Sequence, residues 1–264
     1  MTKTPDPHHE AQLNSFAIRT FRDTADRDYV SARMSYRAHL VQPFQWSSLH
    51  CLEKYAKGIC MLNRVPAQKI KHEVTPLLKL MERQGPFTVD LSPSTVEYIE
   101  RLESGARFRY YEVSFTSHRY EIAMLDHAVS ELRRYCTPIN VDADLGDGTS
   151  PRNLLTHNLA RIQHAKDTQH WDTCIHNGWL EEVIAKQEHP AHEPLDWQNL
   201  YFSCEQRESV SLVGYWESGN APLYLHPELL DDVEKLIFVP GEISKAWRSE
   251  LAKRAKDAAG LPPS

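Results

Sequence analysis

The sequence predicts a mainly α-helical protein, in which an antiparallel bundle of four to five helices precedes a smaller α+β accessory region. Two observations carry this prediction. Apolar residues recur at steps of three and four in successive segments between residues 23 and 136, which is the period of helices that pack together. The residues after about 178 instead combine short helical segments with aromatic stretches that favour strands.

The second predicted helix, from Pro43 to Asn63, organises the bundle. Its apolar face is expected to be buried and consists of Leu49, Leu52, Ala56 and Ile59. Another face is cationic and consists of His50, Lys54 and Lys57. Pro43 suits the first turn of a helix, where its missing N–H costs nothing. Burial of the apolar face determines the fold, so the cationic face needs another explanation.

A helix at about residues 23–40 precedes this element, with Ala25, Tyr29 and Ala32 on one face. The short Gln-Pro connection between the two helices predicts that they are antiparallel neighbours. Residues 1–14 are polar and contain two prolines, and they are expected to form a loose tail.

Three further helical segments complete the bundle, which is predicted to span residues 15–137. Thr75 is the expected cap of the first of them. Ser94 and Glu97 have the spacing of a capping box at the start of the second, and Val96 is expected on its buried edge.

The third of these helices is predicted at about residues 119–136, after a loop or extended connection at residues 106–117. Clustered Asp, Gly and Pro make residues 138–150 a linker. The accessory region then covers residues 151–257, and a tail follows at residues 258–264.

Two aromatic stretches of the accessory region, residues 197–204 and 209–216, are predicted to pair as strands. They are separated by a polar EQRE segment. A helix is expected just before them, near residue 180, and two helices are expected to close the chain.

The charge balance limits the kinds of ligand. The 264 residues carry a formal net charge of -6, which argues against general affinity for polyanions. Any nucleotide or RNA site must therefore be local. No run of eighteen apolar residues and no secretory signal is seen, so we expect a cytoplasmic protein without a membrane partner.

Metal and disulfide chemistry are not indicated. The five cysteines are scattered and lack a C-x-x-C pair. The histidines His157, His164, His170 and His176 do not have the three- or four-residue step of zinc-binding helices. We therefore expect no metal site and no cofactor.

The segment from about residue 18 to 137 resembles the HEPN superfamily, the "higher eukaryotes and prokaryotes nucleotide-binding" helical bundle. The resemblance rests on Trp46, Glu53, Lys54 and Lys57 in one helix, on His72 at the start of the next, and on the pair Arg109 and Tyr110. It implies an antiparallel HEPN-like bundle that is frequently homodimeric. The residues after it look like the accessory region of longer members of the family.

Members of this superfamily have several roles, and the resemblance implies each of them as an alternative function for this chain. Some bind nucleotides or act as partners of small nucleotidyltransferases. Others are metal-independent ribonucleases of toxin or antiviral systems, whose motif is an Arg followed after four to six residues by a His on the last bundle helix.

The ribonuclease motif is incomplete in this sequence. Arg119 and His127 are on the expected helix, but seven residues intervene, and a spacing of eight separates them by about 80° around a helix. Arg152 and His157 have acceptable spacing and an Asn after the Arg, but they fall beyond the bundle. Such pairs are also expected by chance in a chain with this much Arg and His.

The leading hypothesis is a nucleotide- or RNA-binding protein with a local basic and aromatic cleft. Guanidinium groups suit phosphate, and aromatic faces suit a base. The residues expected to form the cleft are His50, Lys54, Lys57, Arg107, Arg109 and Tyr110. The structural alternative is that the aromatic side chains close the end of the bundle while the arginines pair with carboxylates.

Two other functions stay open. One is a metal-independent ribonuclease of a toxin–antitoxin or phage-defence system, with Arg119, His127, Arg152 and His157 as candidates. The other is a non-catalytic interaction scaffold or antitoxin-like partner, whose predicted strand pair and exposed Trp216 contact a second protein.

Overall fold

The structure is a computed structural model that describes residues 6–105, 114–143, 150–168, 178–205, 207–211 and 216–259. These residues are mainly α-helical, as the sequence predicts. The helices are α1 (Pro7–Ala17), α2 (Asp23–Arg37), α3 (Val41–Leu62), α4 (Val74–Gln84), α5 (Pro93–Gly105), α6 (Glu121–Arg133), α7 (Leu155–Thr168), α8 (Trp179–Ala185), α9 (His192–Asp196), α10 (Pro222–Leu225), α11 (Leu230–Leu236) and α12 (Gly241–Ala258). The strands are β1 (Phe115–His118), β2 (Asp142–Ala143), β3 (Arg152–Asn153) and β4 (Trp216–Gly219).

The chain begins its first helix earlier than predicted. The Asp6 side chain accepts a hydrogen bond from the His8 N–H at 3.0 Å, and Pro7 occupies the first turn. A π-helical turn, Ile18–Arg22, then joins α1 to α2. The prediction of a loose tail up to residue 14 is therefore wrong from Pro7 onward, because the proline that suggested a loop is a helix-starting residue.

Helix α3 packs along α2 and its predicted apolar face is buried, as is Phe44 near its start. Gly58 lies where α3 meets the π-helical turn. A Cβ at this position would lie 3.1 Å from the Cβ of Phe21. The glycine therefore permits the close approach of the two segments.

The residue that caps the start of α5 lies two residues before the predicted cap. Ser92 Oγ accepts a hydrogen bond from the Thr95 N–H at 3.3 Å, so Ser92 takes the role expected of Ser94. Val96 is exposed, and the buried face consists of Thr95, Tyr98, Ile99 and Leu102. The expectation that Val96 is buried was wrong.

The strand pair predicted at 197–204 and 209–216 is also wrong. Strand β4 pairs antiparallel with β1, with Phe115 opposite Gly219 and His118 opposite Trp216. Residues 197–204 form turns, because the buried Asn199 side chain accepts the N–H groups of Tyr201 and Phe202, each at 3.0 Å. A second short antiparallel pair joins β2, inside the predicted linker, to β3, just after it.

The hydrophobic core extends past the predicted end of the bundle. Apolar side chains of α8, α9 and the following turn lie in one buried cluster with those of α2, α3 and α6; they are Leu180, Val183, Ile184, Leu195 and Phe202. Two buried arginines reinforce this contact: Arg33 donates to the carbonyls of Pro194 and Trp197, and Arg133 binds Glu181. Residues 178–202 therefore pack as part of the bundle.

The chain closes with α10, α11 and α12, which contact one another through the 3-10 turn Pro227–Leu229. The predicted closing helix is confirmed as α12. Among the described helices, none combines the length and the apolar character that crossing a membrane requires.

Candidate functional site

The predicted cationic face of α3 exists, but its lysines are engaged in ion pairs. Lys54 Nζ donates to Asp28 Oδ2 at 2.6 Å. Lys57 Nζ donates to Glu53 Oε1 and to the carbonyl of Lys71, both at 2.5 Å. The ring of His50 packs on that of Trp46, with centroids 4.1 Å apart. The positive charges on this face are therefore locally compensated.

Three other residues of the predicted cleft, Arg107, Arg109 and Tyr110, lie outside the described residues. The cleft that the sequence predicts from these side chains and the α3 face therefore stays a prediction. His72, the other residue of the family pattern, lies beside the α3 face, with Nδ1 3.4 Å from Glu53 Oε1.

A second group of candidates meets where α5 and α6 begin. A cleft of about 210 Å³ is lined by Ser94, Tyr120, Ala123, Met124 and His127, and we call it the His127 cleft. Ala123 and His127 are four residues apart in α6, which places them on one face. Ser94 comes from the first turn of α5.

His127 is held at both ring nitrogens. Nδ1 lies 2.8 Å from the hydroxyl of Tyr201, and Nε2 lies 3.0 Å from Ser92 Oγ. Ser92 Oγ is also 3.0 Å from Glu131 Oε2. The imidazole is therefore fixed between a phenol on one side and a serine–carboxylate pair on the other.

These neighbours indicate the tautomer of His127. Burial, together with Asp126 and Glu131, raises the pKa of Tyr201 to about 12, so its hydroxyl stays protonated and is able to donate to Nδ1. The Ser92 hydroxyl donates to Glu131. A neutral imidazole that satisfies both contacts carries its proton on Nε2, with Ser92 Oγ as the acceptor.

Arg119 reaches the His127 cleft through Tyr120. Its guanidinium carbon lies 4.9 Å from the centre of the Tyr120 ring, and Nη2 donates to the Tyr120 hydroxyl at 2.7 Å. Tyr120 is 51% exposed. Helix α6 begins at Glu121, so Arg119 precedes the helix, and the angular separation of about 80° from His127 does not apply.

A second guanidinium, that of Arg101, borders the same cleft. Its Nη2 lies 3.6 Å from Met124 Sδ, and its Nη1 lies 3.1 Å from Glu121 Oε1 and 3.0 Å from His118 Nε2. Burial and the charge of Arg101 lower the pKa of His118, which keeps that ring neutral near pH 7.

The other spaced pair, Arg152 and His157, is divided between two elements. Arg152 is in β3 and His157 is in the first turns of α7, and both side chains are exposed. The Asn after the Arg has a structural role, since Asn153 Oδ1 accepts the Leu155 N–H at 2.9 Å and its amide bonds Asp142. Neither residue lines the His127 cleft.

No group of three or more His, Cys, Asp or Glu side chains in the described ranges is placed to hold a metal ion. Two of the histidines considered in the sequence, His170 and His176, lie outside those ranges.

Sequence reasoning missed Ser92, Tyr120 and Tyr201 as parts of this site. Ser92 had a local signal, because it precedes Pro93 at a helix start. Tyr201 is 74 residues from His127, and no spacing rule connects them. Comparisons of this chain with protein-family models, with curated proteins and with solved structures found no match.

Proposed function

We propose that this protein binds a nucleotide or a short single-stranded RNA segment, and that the His127 cleft receives the ligand. The observation that supports the proposal is that the exposed ring of Tyr120 and the imidazole of His127 line one cleft, and that the Arg119 guanidinium is held on the Tyr120 ring. Aromatic rings stack on bases, and guanidinium groups donate to phosphate oxygens.

The size of the cleft suits one chemical group of such a ligand. Its volume of about 210 Å³ is below the roughly 300–1,000 Å³ typical of sites that enclose a whole drug-sized molecule. A single base or phosphate therefore enters the cleft, and the rest of a nucleotide or strand lies on the surface. Arg119, which donates to the neutral Tyr120 hydroxyl, supplies the positive charge that an acidic protein needs locally, whereas the charge of Arg101 is compensated by Glu121.

The alternative binding site for the same ligand is the cleft predicted from the α3 face together with Arg107, Arg109 and Tyr110. A phosphate there competes with Asp28 for Lys54 and with Glu53 for Lys57. This competition favours the His127 cleft. The resemblance to HEPN proteins adds a second proposal, that the functional unit is a homodimer.

The test of this proposal is the affinity of purified variants for a fluorescein-labelled single-stranded RNA and for ribonucleotides, measured by anisotropy and calorimetry. The variant Tyr120→Leu removes the stacking ring. Because stacking contributes about 1–3 kcal/mol per base, we expect binding to weaken by roughly 5- to 150-fold. Lys54→Gln is expected to bind like the unmodified protein.

The matched control is Tyr224→Leu. Tyr224 is also an exposed tyrosine under an arginine, with the Arg254 guanidinium carbon 5.0 Å from its ring centre, but it is on α10. If the Tyr120 and Tyr224 variants bind RNA and ribonucleotides with equal affinity, the His127 cleft is not the binding site. Weaker binding by Lys54→Gln alone would move the site to the α3 face.

A second candidate function is metal-independent RNA cleavage, in keeping with a toxin or phage-defence ribonuclease. The observation that favours it is the fixed imidazole of His127, which is 27% exposed at the cleft and suited to proton transfer. His127→Gln should abolish cleavage in EDTA, and His157→Gln should not. RNA that stays intact at high protein concentration would remove this candidate and leave binding in place.

The scaffold alternative loses the strand pair on which it rested, because residues 197–204 are not a strand. Trp216 is in β4, but its side chain lies outside the described residues.

A further inference from the structure

A second, larger cavity is formed by α9, the turn after it and residues 207–211. Its volume is about 420 Å³, within the usual range of small-molecule sites. The side chains that matter to its chemistry are Asp196, Trp197, Gln198, Arg207, Ser209 and Ser211. We call it the Trp197 cavity, and it shares no lining residue with the His127 cleft.

Gln198 lines this cavity with a strained backbone. Its φ is 51°, in the left-handed region that side chains other than glycine rarely adopt. Both neighbours are fixed by the core: Arg33 donates to the carbonyl of Trp197, and Asn199 Nδ2 donates to the Tyr29 hydroxyl at 2.9 Å. The core thus imposes the strain on a cavity-lining residue, as is typical of ligand-binding sites.

Each carboxylate that lines the Trp197 cavity is paired with a guanidinium group. Asp196 Oδ2 accepts from Arg207 at 2.6 Å, and Glu193 pairs with Arg37, whose guanidinium carbon lies 5.0 Å from the centre of the Trp197 ring. Burial opposes ionisation of Asp196, but the Cys204 N–H and Arg207 lower its pKa. The Arg37 hydrogen bond lowers the pKa of Glu193. Both acids are therefore ionised near pH 7.

This balance restricts the chemical class of the ligand. An anion meets the carboxylates of Glu193 and Asp196, and a cation meets the guanidinium of Arg207, the positively charged group that lines the cavity. An apolar molecule excludes water from these ion pairs and offers them no hydrogen bond in exchange. A neutral molecule with many hydroxyl groups avoids all three penalties, because each hydroxyl both donates and accepts.

We propose that the Trp197 cavity binds a neutral saccharide of one or two rings. Trp197 lines the cavity, and the part of its ring that Arg37 does not cover is the apolar surface for the C–H face of a sugar ring. Asp196 and Arg207 together offer an acceptor and a donor to neighbouring hydroxyls. Gln198, Ser209 and Ser211 supply further polar contacts around the ring. This inference is independent of nucleotide or RNA binding.

The experiment is a screen of neutral disaccharides, namely maltose, cellobiose, lactose, sucrose and trehalose, against the full chain. Saturation-transfer NMR and tryptophan fluorescence report binding at about 10 mM sugar, where a Kd near 1 mM gives high occupancy. We expect saturable binding of at least one of them. Glucuronate and glucosamine, the charged analogues, are expected to bind more weakly.

The decisive variant is Gln198→Gly. Glycine adopts the observed φ without strain, so the melting temperature should stay the same or rise. Sugar affinity should fall by about tenfold with loss of the amide. Tyr120→Leu is the control and should bind sugar normally. No binding of any disaccharide, unchanged affinity in Gln198→Gly, or tighter binding of adenosine than of every sugar would each overturn the proposal.

Discussion

Arg33 on α2 and Asp126 on α6 form a buried ion pair, with side chains 0% and 2% exposed. Tyr29 also donates its hydroxyl to Asp126 at 2.6 Å. Arg33 also donates to the carbonyls of Pro194, at 2.9 Å, and of Trp197. One guanidinium therefore joins two bundle helices to the turn that lines the Trp197 cavity and leads to Tyr201, the partner of His127.

Removal of the acid from this pair should be costly. Asp126→Ala leaves the Arg33 charge buried without its partner, and we expect the free energy of unfolding to fall by about 3–5 kcal/mol. Urea denaturation followed by circular dichroism measures this loss. Arg248→Met is the control, because it breaks only exposed pairs with Asp231 and Glu234. The claim fails if the two variants are equally stable.

Gly178 is required by the crowding of two arginines. A Cβ at this position would lie 2.8 Å from Arg133 Nη2 and 2.9 Å from Arg22 Nη2. Arg133 is held by Asp26 and Glu181, so it has little freedom to move. We expect Gly178→Ala to lower the free energy of unfolding by about 1–3 kcal/mol.

Gly241→Ala is the matched control for this substitution. Gly241 is the first residue of α12, and no atom lies within 4 Å of the carbon that alanine adds. The free energy of unfolding should therefore rise by about 0.4–1 kcal/mol. Chemical denaturation of both variants checks the pair. A Gly178→Ala protein as stable as Gly241→Ala contradicts the crowding.

Glu103 caps a helix other than its own. From the end of α5, its carboxylate accepts the N–H groups of Val74 and Thr75, at 2.5 and 3.0 Å, and the Thr75 hydroxyl at 2.6 Å. Glu103→Ala should cost about 0.5–2 kcal/mol of stability, as the loss of a helix cap does. Thermal unfolding compares it with Glu100→Ala, an exposed glutamate on the same helix that should have little effect.

Two acids should give opposite dependences of stability on pH. The folded-state pKa of Asp196 is lowered, so its stabilising contribution is present above the ordinary aspartate value of about 3.9 and is lost as the pH falls through the folded value. Burial raises the pKa of Glu121 despite Arg101. Its contribution is therefore present below the ordinary glutamate value of about 4.3 and is lost as the pH rises through the folded value.

Unfolding free energies of Asp196→Asn and Glu121→Gln between pH 2 and pH 7 test these signs. The free energy of unfolding of Asp196→Asn should be lower than that of the unmodified protein. This difference should be largest at pH 7 and should shrink in acid. The free energy of unfolding of Glu121→Gln should increase relative to that of the unmodified protein as the pH rises. Parallel profiles for the two variants would contradict the assigned pKa directions.

The helices of the bundle were predictable because their signal is local. In α3 the period of apolar residues alone identifies the buried face, and Leu49, Leu52, Ala56 and Ile59 are all buried. In α5 Ile99 and Leu102 are buried, but Val96 lies at the edge of this apolar face and is 39% exposed. The period of apolar residues does not show how far the buried face extends around the helix.

Contacts between distant segments were not predictable from local patterns. Strand β1 pairs with β4 about a hundred residues later, and short strands of this kind have no distinctive periodicity. The α3 lysines were placed on the correct face, but Asp28, which compensates Lys54, belongs to another helix. His127 was a candidate from the sequence, and its contact with Tyr201 depends on the packing of the segment after α9.

The most direct test of ligand binding at the His127 cleft is NMR of protein labelled with ¹⁵N at its histidine rings, titrated with a short single-stranded RNA. We predict that the His127 ring resonances shift in a saturable way, because the ligand enters the cleft that this ring lines, while those of His50 on α3 stay unchanged. Shifts of His50 without any shift of His127 would contradict the account.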